Sequence, residues 1–319
     1  MKLGLFTVLF SQLSLDEVIL KVKPLGIQAL EFTVGAYGRA THIDLGLMNN
    51  RQAAKDFIAK LNGEGIELSA LNCAGNVLHP NREIAEAHIK AFEDGIKLAE
   101  VLGVRTVINF SGCPGDSDNA KYPNFVTTSW PPDFTEMLKW QWEEKVFPFW
   151  TKYIKFAEDH GVRVALEMHP GFVVYNPETL LRLREQVGPN IGSNFDPSHL
   201  FWQGSDPVAA VRALGPAIFH VHAKDTKVYT ANSTVNGTLD TKPYQDEQHR
   251  SWLFRTVGYG HGPEFWTDFI STLQMIGYDH VLSIEHEDSL ISLEGGLAKA
   301  AQFLNQWIIK EKMKEIWWA

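Results

Sequence analysis

Ile191-Gly192-Ser193-Asn194-Phe195-Asp196-Pro197-Ser198-His199 is the stretch from which the fold of this chain can be read. A short, mostly apolar run flanked by turn residues reads as a buried strand. It stops at Asp196 and Pro197, and His199 follows three residues after the aspartate. A carboxylate at the carboxyl end of a buried strand is costly unless a cation or hydrogen bonds compensate it. Three other segments end the same way: Val162-Arg163-Val164-Ala165-Leu166-Glu167-Met168-His169, Ile218-Phe219-His220-Val221-His222 and Val281-Leu282-Ser283-Ile284-Glu285-His286. The reading is that Glu167, Asp196, His222 and Glu285 converge on one divalent metal ion.

Outward from these segments, strand-like runs alternate with helical periods along the whole chain. Strands are expected near 2–6, 28–32, 67–72, 106–110, 162–167, 191–196, 218–222 and 280–285. Helices are expected near 16–22, 50–62, 81–102, 136–159, 178–186, 206–214, 262–277 and 290–310. Ser14 and Glu17 have the capping-box spacing, Asn176 caps the helix near 178, and Pro148 should kink or split the long aromatic helix. Such alternation means a parallel sheet covered by helices. Eight units without a composition break point to an α/β fold, a single-domain (β/α)8 barrel spanning 1–319. A doubly wound sheet that bound a dinucleotide would show a glycine fingerprint after its first strand, and Phe6-Thr7-Val8-Leu9-Phe10 has none. A polar insertion at 227–255 is too long for a simple connection and is expected to be a lid or a subunit arm.

Composition narrows the function. The formal net charge of −9 over 319 residues argues against a nucleic-acid partner. No run is long enough to span a membrane, and Met1 to Phe6 reads as a strand with no small-residue cleavage site after it. Two cysteines without a partner motif fit a reducing compartment, so a cytoplasmic location is expected. The aromatic stretch 140–153 and the tail Ile316-Trp317-Trp318 are candidates for subunit contact.

Side chains alternate along a strand. With the proposed ligands facing the barrel axis, Ala165, Asn194, His220 and Ser283 also point inward, and Phe219 points outward. The same register puts Glu31, Asn72 and Asn109 inward at the tops of their strands, where they are candidates for substrate contact. Glu31 reads as a substrate ligand or a buried ion-pair partner, and His220 as a core histidine or a site residue. His169, Lys224 and His261 sit just past strand ends or in a turn and are candidates for substrate contact. Trp130-Pro131-Pro132 and Trp202 are candidates to receive a bulky substituent. Three carboxylates and one imidazole suit Mn, Mg or Co better than structural zinc. A sugar carbonyl and its neighbouring hydroxyl would fill the remaining positions. The metal would polarise the carbonyl and stabilise an enediolate, with Glu167 and Glu285 flanking the substrate as base and acid.

The motifs Leu166-Glu167-Met168-His169-Pro170, Asn194-Phe195-Asp196-Pro197-Ser198-His199, His220-Val221-His222-Ala223-Lys224-Asp225 and Ile284-Glu285-His286-Glu287 resemble those of the xylose isomerase-like barrel superfamily. That group includes sugar isomerases and epimerases, inosose dehydratases and endonuclease IV. The resemblance implies a metal, Mn first with Co, Mg or Zn as alternatives, held by Glu167, Asp196, His222 and Glu285. It implies catalysis by Glu167 and Glu285, with His199 touching substrate. It also implies a homodimer or homotetramer acting on a small sugar or glycoside. The expected activity is isomerase or epimerase. The alternative is a lyase or dehydratase on a 3-keto sugar, an inosose or a 3-keto-C-glycoside, the last with a small partner subunit. A noncatalytic sugar-binding protein is a third reading. Two departures stand out. Ketose 3-epimerases carry an arginine a few residues beyond the histidine ligand, where Thr226-Lys227-Val228-Tyr229 has none unless Arg255 folds back. Endonuclease IV has extra histidine ligands, of which Asp246 and His249 could imitate part.

Overall fold

The computed structural model describes residues 1–311, 316 and 318. Eight strands close into a barrel: β1 (Lys2–Phe6), β2 (Ala29–Thr33), β3 (Glu67–Asn72), β4 (Thr106–Asn109), β5 (Arg163–Glu167), β6 (Ile191–Phe195), β7 (Ile218–Ala223) and, after a hairpin, β10 (Val281–Ile284). Every neighbouring pair is parallel, and β10 closes the ring between β7 and β1. The hairpin is antiparallel and consists of β8 (Asp225–Val228) and β9 (Trp252–Arg255). It is the insertion foreseen at 227–255. The single (β/α)8 barrel is therefore the fold.

Local chemistry sets the helix starts. Ser14 and Glu17 form the foreseen capping box ahead of Leu15–Val22. Asn176 caps Pro177–Val187 with Thr179, and Asp206 caps Pro207–Leu214. Pro148 does not split its helix. Pro132–Trp140 passes through a wide π turn at Gln141–Val146 into Phe147–Asp159. Proline lacks the N–H that would continue the regular ladder, and the wider turn just before it absorbs that loss. The aromatic side chains of this stretch divide: Trp140, Phe147 and Phe149 are part-exposed. Trp142, Trp150 and Tyr153 are buried in the protein's own core. Of the tail, Trp317 lies outside the described residues; Ile316 and Trp318 are exposed. Among the described residues no helix is long and apolar enough to cross a membrane.

The main apolar core fills the space between barrel and helices, with Phe32, Phe92, Trp150, Trp266 and Phe269 among its fully buried side chains. A separate small cluster of Ala70, Ile108, Ala165 and Phe219 forms the floor inside the barrel. It corrects the expected register twice. On β4, Ile108 pairs with Ala165 and Asn72, so Ile108 takes the inward position and Asn109 does not. On β7 the register slips between Ser193 and Asn194 of β6: Ser193 pairs with Ile218, and Asn194 with His220. Phe219 is the extra residue of that bulge and turns into the floor, while His220 and His222 keep their inward positions.

The bulge needs space on β6. A Cβ on Gly192 would lie 2.3 Å from the Ala217 carbonyl oxygen and 2.7 Å from the Phe219 ring. Gly192→Ala should therefore destabilise the protein by about 1–3 kcal/mol, as overpacking does. The check is the urea midpoint at unchanged slope; an unchanged midpoint would mean that the floor yields freely at this point.

Candidate metal centre and the barrel mouth

The four proposed ligands come from the carboxyl ends of adjacent barrel strands. Glu167 is the last residue of β5, Asp196 follows β6, His222 lies near the end of β7 and Glu285 follows β10. Each offers one ligand atom, and these atoms all lie within 4.8 Å of one another. His222 Nδ1 is 2.8 Å from Glu285 Oε2 and 3.4 Å from Glu167 Oε2. Asp196 Oδ1 accepts the Ser198 backbone N–H at 2.8 Å. Asp196 Oδ2 and Glu285 Oε2 are buried without a hydrogen bond, the latter because its close approach to His222 is badly angled. Two orphaned carboxylate oxygens beside an imidazole nitrogen fit a divalent cation of the oxygen-preferring kind.

The protein's own cations only partly compensate this charge. Burial raises Asp196 to about 6, against the pull of His199 and Lys224. Burial also opposes the charge of Glu285, but Lys224 and His222 outweigh it and hold the group near 2. Glu167 stays well below the ordinary carboxylate range because its contacts with His199 and His222 overcome its burial. For His222, burial favours the neutral ring, but Glu31 and Glu285 drive its pKa far upward.

Each glutamate ligand has a second partner at the mouth. His199 Nε2 lies 3.1 Å from Glu167 Oε1 and 3.4 Å from Asp196 Oδ2. Lys224 Nζ lies 3.2 Å from Glu285 Oε1 and 2.6 Å from Glu287 Oε2, over the face of Phe254. Lys224 is almost wholly buried, and although burial works against its charge, the surrounding carboxylates keep it firmly protonated. His169 packs on His199 with ring centroids 4.1 Å apart, and burial with the nearby His199 lowers it to about 3. His169 lines a cavity of about 420 Å³ together with Tyr244, Leu253, Phe254, Glu287 and Ser289.

The remaining expected substrate residues stand elsewhere. Glu31 is fully buried beneath His222, with its oxygens taken by His222, Asn72 and Ser283, so it is an ion-pair partner rather than a substrate ligand. Asn72 donates to Glu31 and accepts from the Ala74 backbone N–H. Asn109 accepts from the backbone N–H groups of Gly75 and Phe110 and secures a loop. His261 is turned to Asp225 at 2.8 Å and stacked on Phe201 at 3.7 Å, and it does not line the cavity. His220 is wholly buried, bonded to Asn194, and kept neutral by burial and by the neighbouring His222. Arg255 does not take the place of the missing arginine, because Asp288 and the Tyr229 hydroxyl hold its guanidinium. Trp202 is stacked on Trp252 at 4.7 Å, which docks the hairpin on the barrel; Trp130 lies exposed in its loop. Asp246 and His249 pair with each other in the insertion, and neither belongs to a metal-capable group among the described residues. Sequence reasoning missed Tyr244, Leu253, Phe254, Glu287 and Ser289. The length of the insertion signalled a lid, but nothing local indicated which of its side chains would face the cavity.

A closed parallel barrel with metal-capable residues at its carboxyl end defines a class of enzyme scaffolds. The chain belongs to the xylose isomerase-like TIM barrel family, whose model matches residues 19–307. It is 41% identical to the uncharacterized protein YfiH of Bacillus subtilis, over 97% of this chain and 99% of that one. Among solved structures it resembles the probable 3-DHS dehydratase AsbF of Bacillus anthracis, with a TM-score of 0.67, 18% identity and coverage of 96% and 99%. It also resembles a D-tagatose 3-epimerase-like protein, with a TM-score of 0.64, 21% identity and coverage of 96% and 97%. At these identities the two solved structures support the fold only.

Metal content is a direct consequence of the geometry. Elemental mass spectrometry of the purified protein should find about one divalent cation per chain, lost in Asp196→Ala. A wild-type chain that neither carries nor takes up a cation would make the cluster a purely ion-paired core.

Proposed function

We propose that this chain is a divalent-metal-dependent isomerase or epimerase acting on a small keto sugar. The observation that carries the reading is the convergence of Glu167, Asp196, His222 and Glu285, with two buried carboxylate oxygens that accept no hydrogen bond, beside a cavity at the barrel mouth. Manganese or cobalt suits the oxygen-rich donor set, with magnesium or zinc as alternatives. A cation bound there would polarise the substrate carbonyl and stabilise the negative charge that develops when the neighbouring C–H loses its proton.

The side chains supply the proton transfers. Glu167 and Glu285 come from strands separated by β6 and β7, so they can address a substrate from two sides. One removes the proton from the carbon next to the carbonyl, and the other returns a proton to the opposite face. His199 bridges Glu167 and Asp196, which holds Glu167 in place and sets a donor beside the reacting carbon's oxygen substituents. His169, Phe254 and Tyr244 offer flat apolar surface to the C–H faces of a sugar and keep water from it.

A second reading, a dehydratase, is favoured by Lys224. Its buried ammonium touches Glu285 and Glu287, and Glu287 lines the cavity. There it can protonate a hydroxyl β to the carbonyl, which leaves as water once the α-proton is gone. Both reactions begin with the same C–H cleavage and differ in the fate of the enediolate.

Keto sugars and cyclic keto-polyols incubated with metal-loaded enzyme in D2O separate these outcomes. Deuterium at the carbon next to the carbonyl with recovery of an epimer supports the first reading. Loss of water with an enone chromophore supports the second. Glu285→Gln should lower kcat by about 10²–10⁴-fold while keeping the fold. Near-normal turnover in that variant would remove Glu285 from the chemistry.

A further inference from the structure

The His222 ring is fixed at Nε2 and over its face. Its Nε2 lies 3.0 Å from Glu31 Oε2 and 3.1 Å from Oε1. Glu31 reaches it from β2 and is fixed in turn: Asn72 Nδ2 donates to Oε1 at 2.8 Å, and Ser283 Oγ donates to Oε2 at 2.9 Å. Phe6 of β1 stacks on the ring at 5.6 Å with an interplanar angle of 18°. Asn194 Nδ2 lies 3.2 Å from both ring nitrogens, which places it over the ring face rather than in line with either. Glu31, Asn72, Ser283, Asn194 and His222 are all buried, so no water competes for these contacts.

An imidazole can present either nitrogen to a metal, and the hydrogen bond made by the other decides which. Here Nε2 meets a carboxylate whose remaining capacity is filled by two donors. Nδ1 faces Glu285 and Glu167. The geometry assigns Glu31 as a positioning residue: it holds the Nε2–H of His222, so that Nδ1 is the nitrogen turned to the cation site and the one that gives up its proton when a cation binds. Asn72 and Ser283 keep the Glu31 carboxylate in register for that task. The device reaches the metal centre through the barrel interior and not through its mouth. It therefore acts on cation affinity and not on substrate contact. A carboxylate behind a ligating imidazole also raises the basicity of the ring and its strength as a ligand. The inference depends on the metal reading above.

The experiment uses metal-stripped full-length protein titrated with Mn(II), followed by electron paramagnetic resonance. Wild type is compared with Glu31→Gln and with Ser283→Ala, which loosens Glu31 without removing it. Glu31→Gln should raise the Mn(II) Kd about 10–100-fold, and Ser283→Ala should shift it less in the same direction. The melting temperature of each metal-free variant controls for folding; if Glu31→Gln fails to fold, Ser283→Ala carries the test. In the zinc-loaded wild type with 15N-labelled histidine, long-range 1H–15N spectra should show His222 metallated at Nδ1 and protonated at Nε2. A Kd within twofold of wild type in both variants, or metal on Nε2, would overturn the assignment. Wild type that binds no cation at all would instead remove the metal reading, before any variant is compared.

Discussion

Negative charge crowded into a buried barrel mouth is the constraint on which the rest of this structure depends. Glu167, Asp196 and Glu285 bring three carboxylates within a cation's reach, and two unit charges about 4 Å apart repel by about 4 kcal/mol even at an effective dielectric near 20. The chain answers with His199, His222 and Lys224, each set against one or two of the acids. That compensation is incomplete. Asp196 is still pushed up by burial, and two carboxylate oxygens still lack hydrogen bonds. A fold that only needed stability would have placed apolar side chains here, since a buried ion cluster is often no better than a well-packed hydrophobic one. The polar cluster is retained at a cost to stability, and costs of that kind concentrate at functional sites.

The scaffold separates the two demands by depth. Ala70, Ile108, Ala165 and Phe219 close the lower barrel with apolar volume. Above them Glu31, Asn72, Asn194, His220 and Ser283 form a hydrogen-bonded layer that is wholly buried. The ligands lie above that layer, and the hairpin of β8 and β9 lies beside the mouth with Leu253 and Phe254 on the cavity. Asp225, two residues beyond β7 and the first of β8, accepts from the backbone N–H groups of Gly258, Gly260 and His261. One carboxylate thus ties the hairpin's base to the turn after it. Rigid support below and a shaped wall beside the mouth are what a preorganised site requires.

Much of this was legible in the chain because it depends on local periods. Strand alternation, glycine stops and caps placed the eight barrel strands within a residue or two, and the four candidate ligands announced themselves as polar residues at the ends of buried strands. The register errors have two sources. Parity arguments assume an unbroken period of two, and the bulge at Phe219 inserts a residue that no single-strand pattern reveals. On β4 the polar Asn109 looked inward because the site was expected to be polar, yet pairing with β3 and β5 gives that position to Ile108. Long-range partnerships were the other gap. Glu31 and His222 are 191 residues apart, and no spacing rule connects them.

The same depth ordering bears on how related barrels diverge in chemistry. A change at the mouth, such as the hairpin that brings Tyr244 and Phe254 to the cavity, alters what is held next to the carboxylates without touching the layer beneath. A change in the buried layer alters the carboxylates' shared imidazole and with it every reaction the site could support. Lys224 lies at the boundary between these regimes: it pairs with buried Glu285 on one side and with Glu287, which lines the cavity, on the other. Proton return to carbon and loss of a hydroxyl share one initial C–H cleavage, so the choice between them falls to whichever acid is nearest the departing or returning group. Under the proposed reading, the two acids nearest that choice are a glutamate and a lysine 3.2 Å apart.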